Sequence, residues 1–301
     1  MDDYMFGRRS DGTLIKDVDP FVLITPYIMP ERSDSQVMTP HELDFESMTK
    51  YIREQRKLGH NITYMGMIIA AYVRTLCEYP ELNRFIMNKR LYARNHVCVS
   101  FITLKNNPDD SLEEAAVKVD FQLSDTIYDV TRRIDAAIAE TRKPGETNKT
   151  DRLVSFLLSL PLLPNIVVGL AKFLDRHGLM PSYIHQASPF HTSLFISNMA
   201  SIGMNYIYHH IYNFGTTSIF FGMGKTEQKI HANADGTCRS KRIMPVGAVI
   251  DERICSGASF SRAFSQMKVY MHNPSLLETP PEHVKTETKM NEVSSARQVN
   301  A

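Results

Sequence analysis

The sequence predicts an α/β domain, with helices and strands interleaved along one globular chain, and three observations carry that expectation. Residues 63–79 form a helical pattern whose Met67, Ile68, Ala71, Val73 and Leu76 build a broad apolar face. Short runs rich in apolar and β-branched residues, bounded by turn formers, read as strands: Phe85–Met87, Leu91–Ala93, His96–Leu104, Thr192–Asn198, Thr217–Gly222 and Ile243–Asp251. The composition, 43% hydrophobic and 22% charged over 301 residues, is that of a globular chain able to bury a core without disulfides or a metal.

The remaining elements follow in order. Residues 1–34 read as an N-terminal arm, in which the proline-broken PFVLITPYIMP is an extended segment and Arg8 and Arg9 are exposed charges. Residues 36–48 begin as a strand and turn into a helix at Asp44–Ser47, with Lys50–Lys57 helical. Pro80 ends the 63–79 helix, Asn88-Lys89-Arg90 is a turn, and Asn106–Asp110 is a loop. Val117–Gln122 is a strand and Thr126–Arg142 an amphipathic helix. Asn233–Gly236 is a turn before the last strand, and Phe260–His272 is a helix stopped by Asn273-Pro274. The charged, aperiodic end, residues 281–301, reads as a disordered tail behind a domain at 35–280.

Between residues 150 and 185 the chain departs from this plan. Val154 to Leu174 is 21 residues of nearly continuous apolar sequence, long enough to span a bilayer. Pro161, Pro164 and Asn165 cut it into two pieces of about ten residues, each too short to span, so a pair of short packed helices is expected. A surface that meets membrane or a partner is the alternative.

Several classes are disfavoured. The formal net charge is +1 with no basic stripe, which argues against a nucleic-acid partner. Cys77, Cys98, Cys238 and Cys255 lie far apart without ligand spacing and read as buried free thiols; with no secretory pattern in MDDYMFGRRSDG, a cytoplasmic protein is expected. Gly222-Met223-Gly224-Lys225 lacks P-loop spacing, the His209-His210 pair lacks metal spacing, and no metal is expected.

Three ordered segments resemble a known family. Residues 67–83 end in Pro-Glu-Leu-Asn; residues 195–203 read Phe-Ile-Ser-Asn-Met-Ala-Ser-Ile-Gly and continue into Ile219–Lys225; residues 245–257 read Pro-Val-Gly-Ala-Val-Ile-Asp-Glu-Arg-Ile-Cys-Ser-Gly. Together they resemble the acyltransferase core of 2-oxo-acid dehydrogenase complexes and chloramphenicol acetyltransferase, over about residues 35–280. The resemblance implies a two-layer α/β sandwich with a mixed sheet, assembled as a homotrimer or a higher assembly. It also implies sites at subunit interfaces, a coenzyme A thioester as cosubstrate with no bound cofactor, and a small-molecule acyl acceptor or protein partner. No lipoyl or subunit-binding module is expected in the short arm.

The family's chemistry is carried by a serine that stabilises the oxyanion and a histidine base. The serine falls on Ser197, beside Asn198; an ordinary strand serine is the alternative. The motif Asp-His-Arg-x-x-Asp-Gly falls on Asp251-Glu252-Arg253-Ile254-Cys255-Ser256-Gly257, so histidine is replaced by Glu252 and aspartate by Ser256, while Asp251, Arg253 and Gly257 remain. Moving a thiol proton to a histidine is uphill by roughly 3 kcal/mol and to an ordinary glutamate by roughly 6, a difference of about a hundredfold in rate. Burial of Glu252 would recover part of this. His209 and His210 are a relocated base, channel residues, or merely loop histidines; Cys255 beside the motif reads as a buried thiol.

The favoured reading is a degenerate acyltransferase that keeps the trimer as a scaffold, binder or regulator. The alternatives are an active coenzyme A-dependent acyltransferase using Glu252, His209 or His210, and a trimer that docks to membrane or partner through residues 154–174.

Overall fold

Several helices begin at a side chain that caps exposed backbone donors. In the computed structural model, which describes residues 9–106, 112–141, 159, 164–233 and 235–287, the Asp44 carboxylate accepts from Ser47 N–H at 3.3 Å. Thr63 Oγ1 accepts from Gly66 N–H at 3.0 Å in the same way. These caps open α2 (Phe45–Lys57) and α3 (Tyr64–Leu76); α1 is Pro20–Ile28 and α4 is Ile127–Thr141. The later helices are α5 (Pro164–Arg176), α6 (Ser182–Ala187) and α7 (Gly257–His272).

The strands are β1 (Gly12–Leu14), β2 (Gln36–Asp44), β3 (Arg84–Met87), β4 (Arg90–Arg94), β5 (Val97–Asn106) and β6 (Leu112–Phe121). They continue as β7 (Leu194–Asn198), β8 (Ile219–Met223), β9 (Glu227–Ala232) and β10 (Cys238–Asp251). A small sheet runs β1-β4-β3, and a seven-stranded sheet runs β2-β10-β8-β7-β5-β6 with β9 added to β10. The large sheet is mixed, because β7 is parallel to both β5 and β8 and the other pairs are antiparallel.

Alternation along the strands gives the sheet two different faces. Ile196, Phe221 and Ala248 point into the main core, against Met48 and Ile52 of α2, α3, Val130 and Ile134 of α4, and Phe264 and Met267 of α7. Every residue of α3 from Gly66 to Leu76 is buried, as expected of a helix enclosed by a sheet and other helices. Phe195, Phe220 and Val249 occupy the opposite face with Ile211. This two-layer sandwich with a mixed sheet is the predicted fold class.

The second face is crossed by the chain itself. Residues 204–212 run over the sheet so closely that a methyl group on Gly222 or Gly247 would fall inside contact distance of the Ile207 carbonyl oxygen. The glycines of Gly222-Met223-Gly224 therefore make room for backbone, which explains them without phosphate binding.

Several expectations need correction. The PFVLITPYIMP arm is helical, not extended: Asp19 Oδ1 accepts from Phe21 N–H at 2.8 Å, and Pro20 stands in the first turn, where no donor is needed. Strands β1, β9 and the first half of β10 were not foreseen, because β9 is largely exposed on both sides and lacks an apolar alternation. Arg9 is buried and paired with Asp11 and Asp175, not exposed. Cys238 is exposed, unlike the other three cysteines. The tail is packed at its start: Lys285 N–H donates to the Cys77 carbonyl at 2.8 Å, and Glu287 pairs with Arg84.

Residues 142–158 and 160–163 lie outside the described ones, and with them the first of the two helices expected in the insertion; the second is α5. Its Ile166, Leu170 and Phe173 form an exposed apolar stripe. No described helix is long and apolar enough to cross a membrane.

The close crossing makes a direct test. Gly247→Ala is expected to force the Ile207 segment off the sheet and lower stability by about 1–3 kcal/mol in urea denaturation. An unchanged midpoint would show that the crossing is not tight.

Candidate functional site

Residues 251–257 are built on a buried ion cluster. Asp251, the last residue of β10, is fully buried and receives Arg253 in two-pronged fashion, Nε to Oδ1 and Nη2 to Oδ2, both at 2.7 Å. The Ser35 hydroxyl donates to Oδ1 at 3.0 Å, and Arg32 Nε stands 3.5 Å from Oδ2. Arg253 also donates to the carbonyls of Met29 and Pro30 at 2.9 and 3.1 Å, and Arg32 to those of Tyr212 and Ile86 at 2.6 and 3.1 Å. Burial lowers the Arg32 pKa although Asp251 opposes it.

This cluster fixes the turn that follows. Glu252 N–H donates to the Ser35 carbonyl at 2.9 Å, while the Glu252 side chain is exposed. Ser256 caps α7: its Oγ accepts from Ser259 N–H at 3.2 Å, and Gly257 opens the helix. Cys255 is buried, and that burial pushes its thiol up to about 12, so it is no nucleophile near neutrality.

Ser197 sits elsewhere. It pairs with Gly222 of β8, which pairs with Gly247 of β10. Glu252 lies five residues beyond Gly247, roughly 15 Å along the strand direction, at the opposite end of the sheet. One chain therefore does not bring Ser197 and Glu252 together. Ser197 shares the face of Phe195 and is half-buried. The Asn198 Oδ1 beside it is buried and unpartnered among the described residues, a cost of about 1–3 kcal/mol unless another molecule supplies a donor.

His209, in the crossing segment, is on that same face. Its ring stacks on Phe220 at 4.2 Å and 5°, and Phe220 is level with Phe195, two residues or about 7 Å short of Ser197. His209 Nδ1 donates to the His210 carbonyl at 2.8 Å, which leaves Nε2 as the acceptor of the neutral ring. His210 is exposed and stacks on His209 at 4.7 Å. A cavity of about 260 Å³ bounded by Glu42, Asp44, His231, Lys241 and Lys268 contains none of these residues.

A second polar cluster escaped the sequence reading. Asp175, His185 and His191, all buried, converge with Arg9 and Asp11. The spacing of nine and five intervening residues matches no familiar ligand motif, and Arg9 arrives from 166 positions away.

The motif's frame yields a stability prediction. Asp251→Asn would leave Arg253 and Arg32 buried without their carboxylate, and a loss of about 3–5 kcal/mol is expected in chemical denaturation. A loss under about 1 kcal/mol would mean that the turn is held by something else.

Residues 186–279 match the family model of the 2-oxoacid dehydrogenases acyltransferase (catalytic domain). No curated protein sequence matches the chain significantly. The cubic core of a pyruvate dehydrogenase multienzyme complex is similar with a TM-score of 0.54 at 12% identity, covering 87% of this chain and 93% of that one. The dihydrolipoamide acetyltransferase of Azotobacter vinelandii gives 0.53 at 13% identity, covering 87% and 93%. A truncated catalytic core of the 2-oxoacid dehydrogenase multienzyme complex from Thermoplasma acidophilum gives 0.52 at 14% identity, covering 87% and 99%. The chain thus has the fold of the 2-oxo-acid dehydrogenase acyltransferase cores, and its residues 186–279 match the catalytic domain of that family.

Proposed function

We propose that this chain is a degenerate acyltransferase: a homotrimer that keeps the family's interfacial site as a binding or scaffolding element and has lost its histidine-dependent transfer. The observation that carries this reading is the contrast within residues 251–257. Asp251 and Arg253, which build the turn, are buried and fully paired, whereas the position they present to solvent is a carboxylate, and position 256 holds a capping serine. In the dihydrolipoamide acetyltransferase of Azotobacter vinelandii a serine, a histidine and an asparagine have roles in the catalytic mechanism. Of that trio this chain keeps Ser197 alone.

Assembly is supported by the strand register, because Ser197 and Glu252 of one chain lie at opposite ends of the sheet and meet only across an interface. The exposed Phe21, Ile24 and Ile28 of α1, together with the α5 stripe, offer apolar surface for neighbouring copies. The unpartnered Asn198 Oδ1 supports an incoming donor at Ser197, from a neighbour or from a ligand with amide groups such as the pantetheine arm of coenzyme A.

One observation favours the second reading, an active coenzyme A-dependent enzyme: His209 lies on the Ser197 face with Nε2 left to accept a proton. An exposed carboxylate at 252 is the weaker base of the two for a thiol.

The test is acetyl transfer from acetyl-coenzyme A to dihydrolipoamide, with the native chain expected to be near background. Replacing Glu252→His and Ser256→Asp together is expected to raise the rate about a hundredfold, from the difference in base strength. Robust native turnover abolished by His209→Gln would establish the second reading in place of the first.

A further inference from the structure

The geometry points to a divalent transition-metal site of Zn²⁺ type at Asp175, His185 and His191, distinct from Ser197 and the 251–257 turn. We propose that the metal takes Asp175 Oδ2 and the Nε2 atoms of both histidines, with its fourth position filled by water.

The three residues come from three places: Asp175 from the last turn of α5, His185 from α6, and His191 from the loop before β7. Their ligand atoms lie within 4.8 Å of one another and all three residues are buried. His191 Nε2 is 3.0 Å from Asp175 Oδ2, and His185 Nε2 is 3.4 Å from Oδ1. The His191–Oδ2 separation is close to the ligand–ligand edge of about 3.3 Å that follows from a tetrahedron with metal–ligand bonds near 2.0–2.1 Å, and His185 Nε2 faces the same carboxylate from its other oxygen. Two imidazoles and one carboxylate, with an open position, are a ligand set that zinc accepts.

The surroundings are those of metal-bound histidines. A ligating imidazole is normally held through its second nitrogen. Here His191 Nδ1 is 2.8 Å from the Ser188 hydroxyl and His185 Nδ1 is 3.2 Å from the Ser10 hydroxyl. Binding needs only a change of tautomer: each proton moves from Nε2 to Nδ1, each serine oxygen turns from donor to acceptor, and both Nε2 lone pairs face the metal. No proton is released from a neutral pair.

The charges fit as well. Arg9 donates Nε to Asp11 Oδ1 at 2.8 Å and Nη2 to Oδ2 at 2.9 Å, so these two buried charges cancel. Arg9 Nη2 also reaches Asp175 Oδ1 at 2.7 Å, on the oxygen that the metal does not use. Lys118 Nζ fixes the same segment by donating to the carbonyls of His185, Ser188 and His191 at 2.7, 3.3 and 2.6 Å.

The test uses the full chain, stripped with chelator and dialysed against Zn²⁺, with bound metal measured by atomic emission. One zinc per chain and a raised melting temperature are expected. His185→Ala with His191→Ala is expected to weaken binding at least about a hundredfold, while His209→Ala with His210→Ala, a control for adventitious histidine binding, leaves it unchanged. Ser188→Ala keeps every ligand and is expected to weaken binding about tenfold, so it decides the matter if the double variant does not fold. No zinc bound at about a hundred micromolar, binding lost only with His209 and His210, or binding unaffected at Ser188 in a chain whose double variant does not fold, would each overturn the site.

Discussion

The carboxylate of Asp251 is the point on which the 251–257 turn depends. It is fully buried at the end of β10, and two guanidinium groups and a serine hydroxyl converge on it. Those same guanidiniums reach the carbonyls of Met29, Pro30, Ile86 and Tyr212. One charge thus ties the end of the N-terminal arm, the small sheet, the crossing segment and the start of α7 to one strand end. A buried charge so arranged is costly to lose from either side, because each partner depends on the others for its desolvation. The course of residues 251–257 is therefore set by this cluster and not by the side chains of Glu252 and Ser256.

The frame and the chemistry are therefore separable in this chain. The mixed sheet puts Ser197 at one end of its central strands and the 251–257 turn at the other, so one copy does not bring them together. Close passage of residues 204–212 over Gly222 and Gly247 brings His209 onto the Ser197 face. Asn198 is left with an unsatisfied buried oxygen at the same place.

Sequence reading succeeded where local signals and long-range structure agreed. The helix at 63–79, the hairpin turn at Asn88-Lys89, with φ of 50° and 60°, and the strand bearing Ser197 were all legible, since each is fixed by its own periodicity or turn chemistry. The helix α1 was misread because Pro20 and Pro26 look like breakers, although Pro20 opens the helix and Pro26 lies near its end. Strand β9 carries no alternation because it is an exposed edge. The Asp175–His185–His191 cluster and its Arg9 partner were invisible, since only the completed fold brings the arm to the segment after the insertion. The separation of Ser197 from Glu252 was equally hidden, because it follows from strand order and register and not from motif spacing.

The most direct measurement of the central claim, that the motif and the serine meet only between copies, is cysteine cross-linking. In a Cys238→Ser background, chains carrying Ser197→Cys are mixed with chains carrying Glu252→Cys, allowed to reassemble, and treated with a short bifunctional thiol reagent. The account predicts a covalent dimer joining one chain of each kind, and no link within a chain that carries both substitutions and is diluted among unlabelled copies. A link formed within single chains, or a mixture that sediments as monomers without cross-linking, would contradict it.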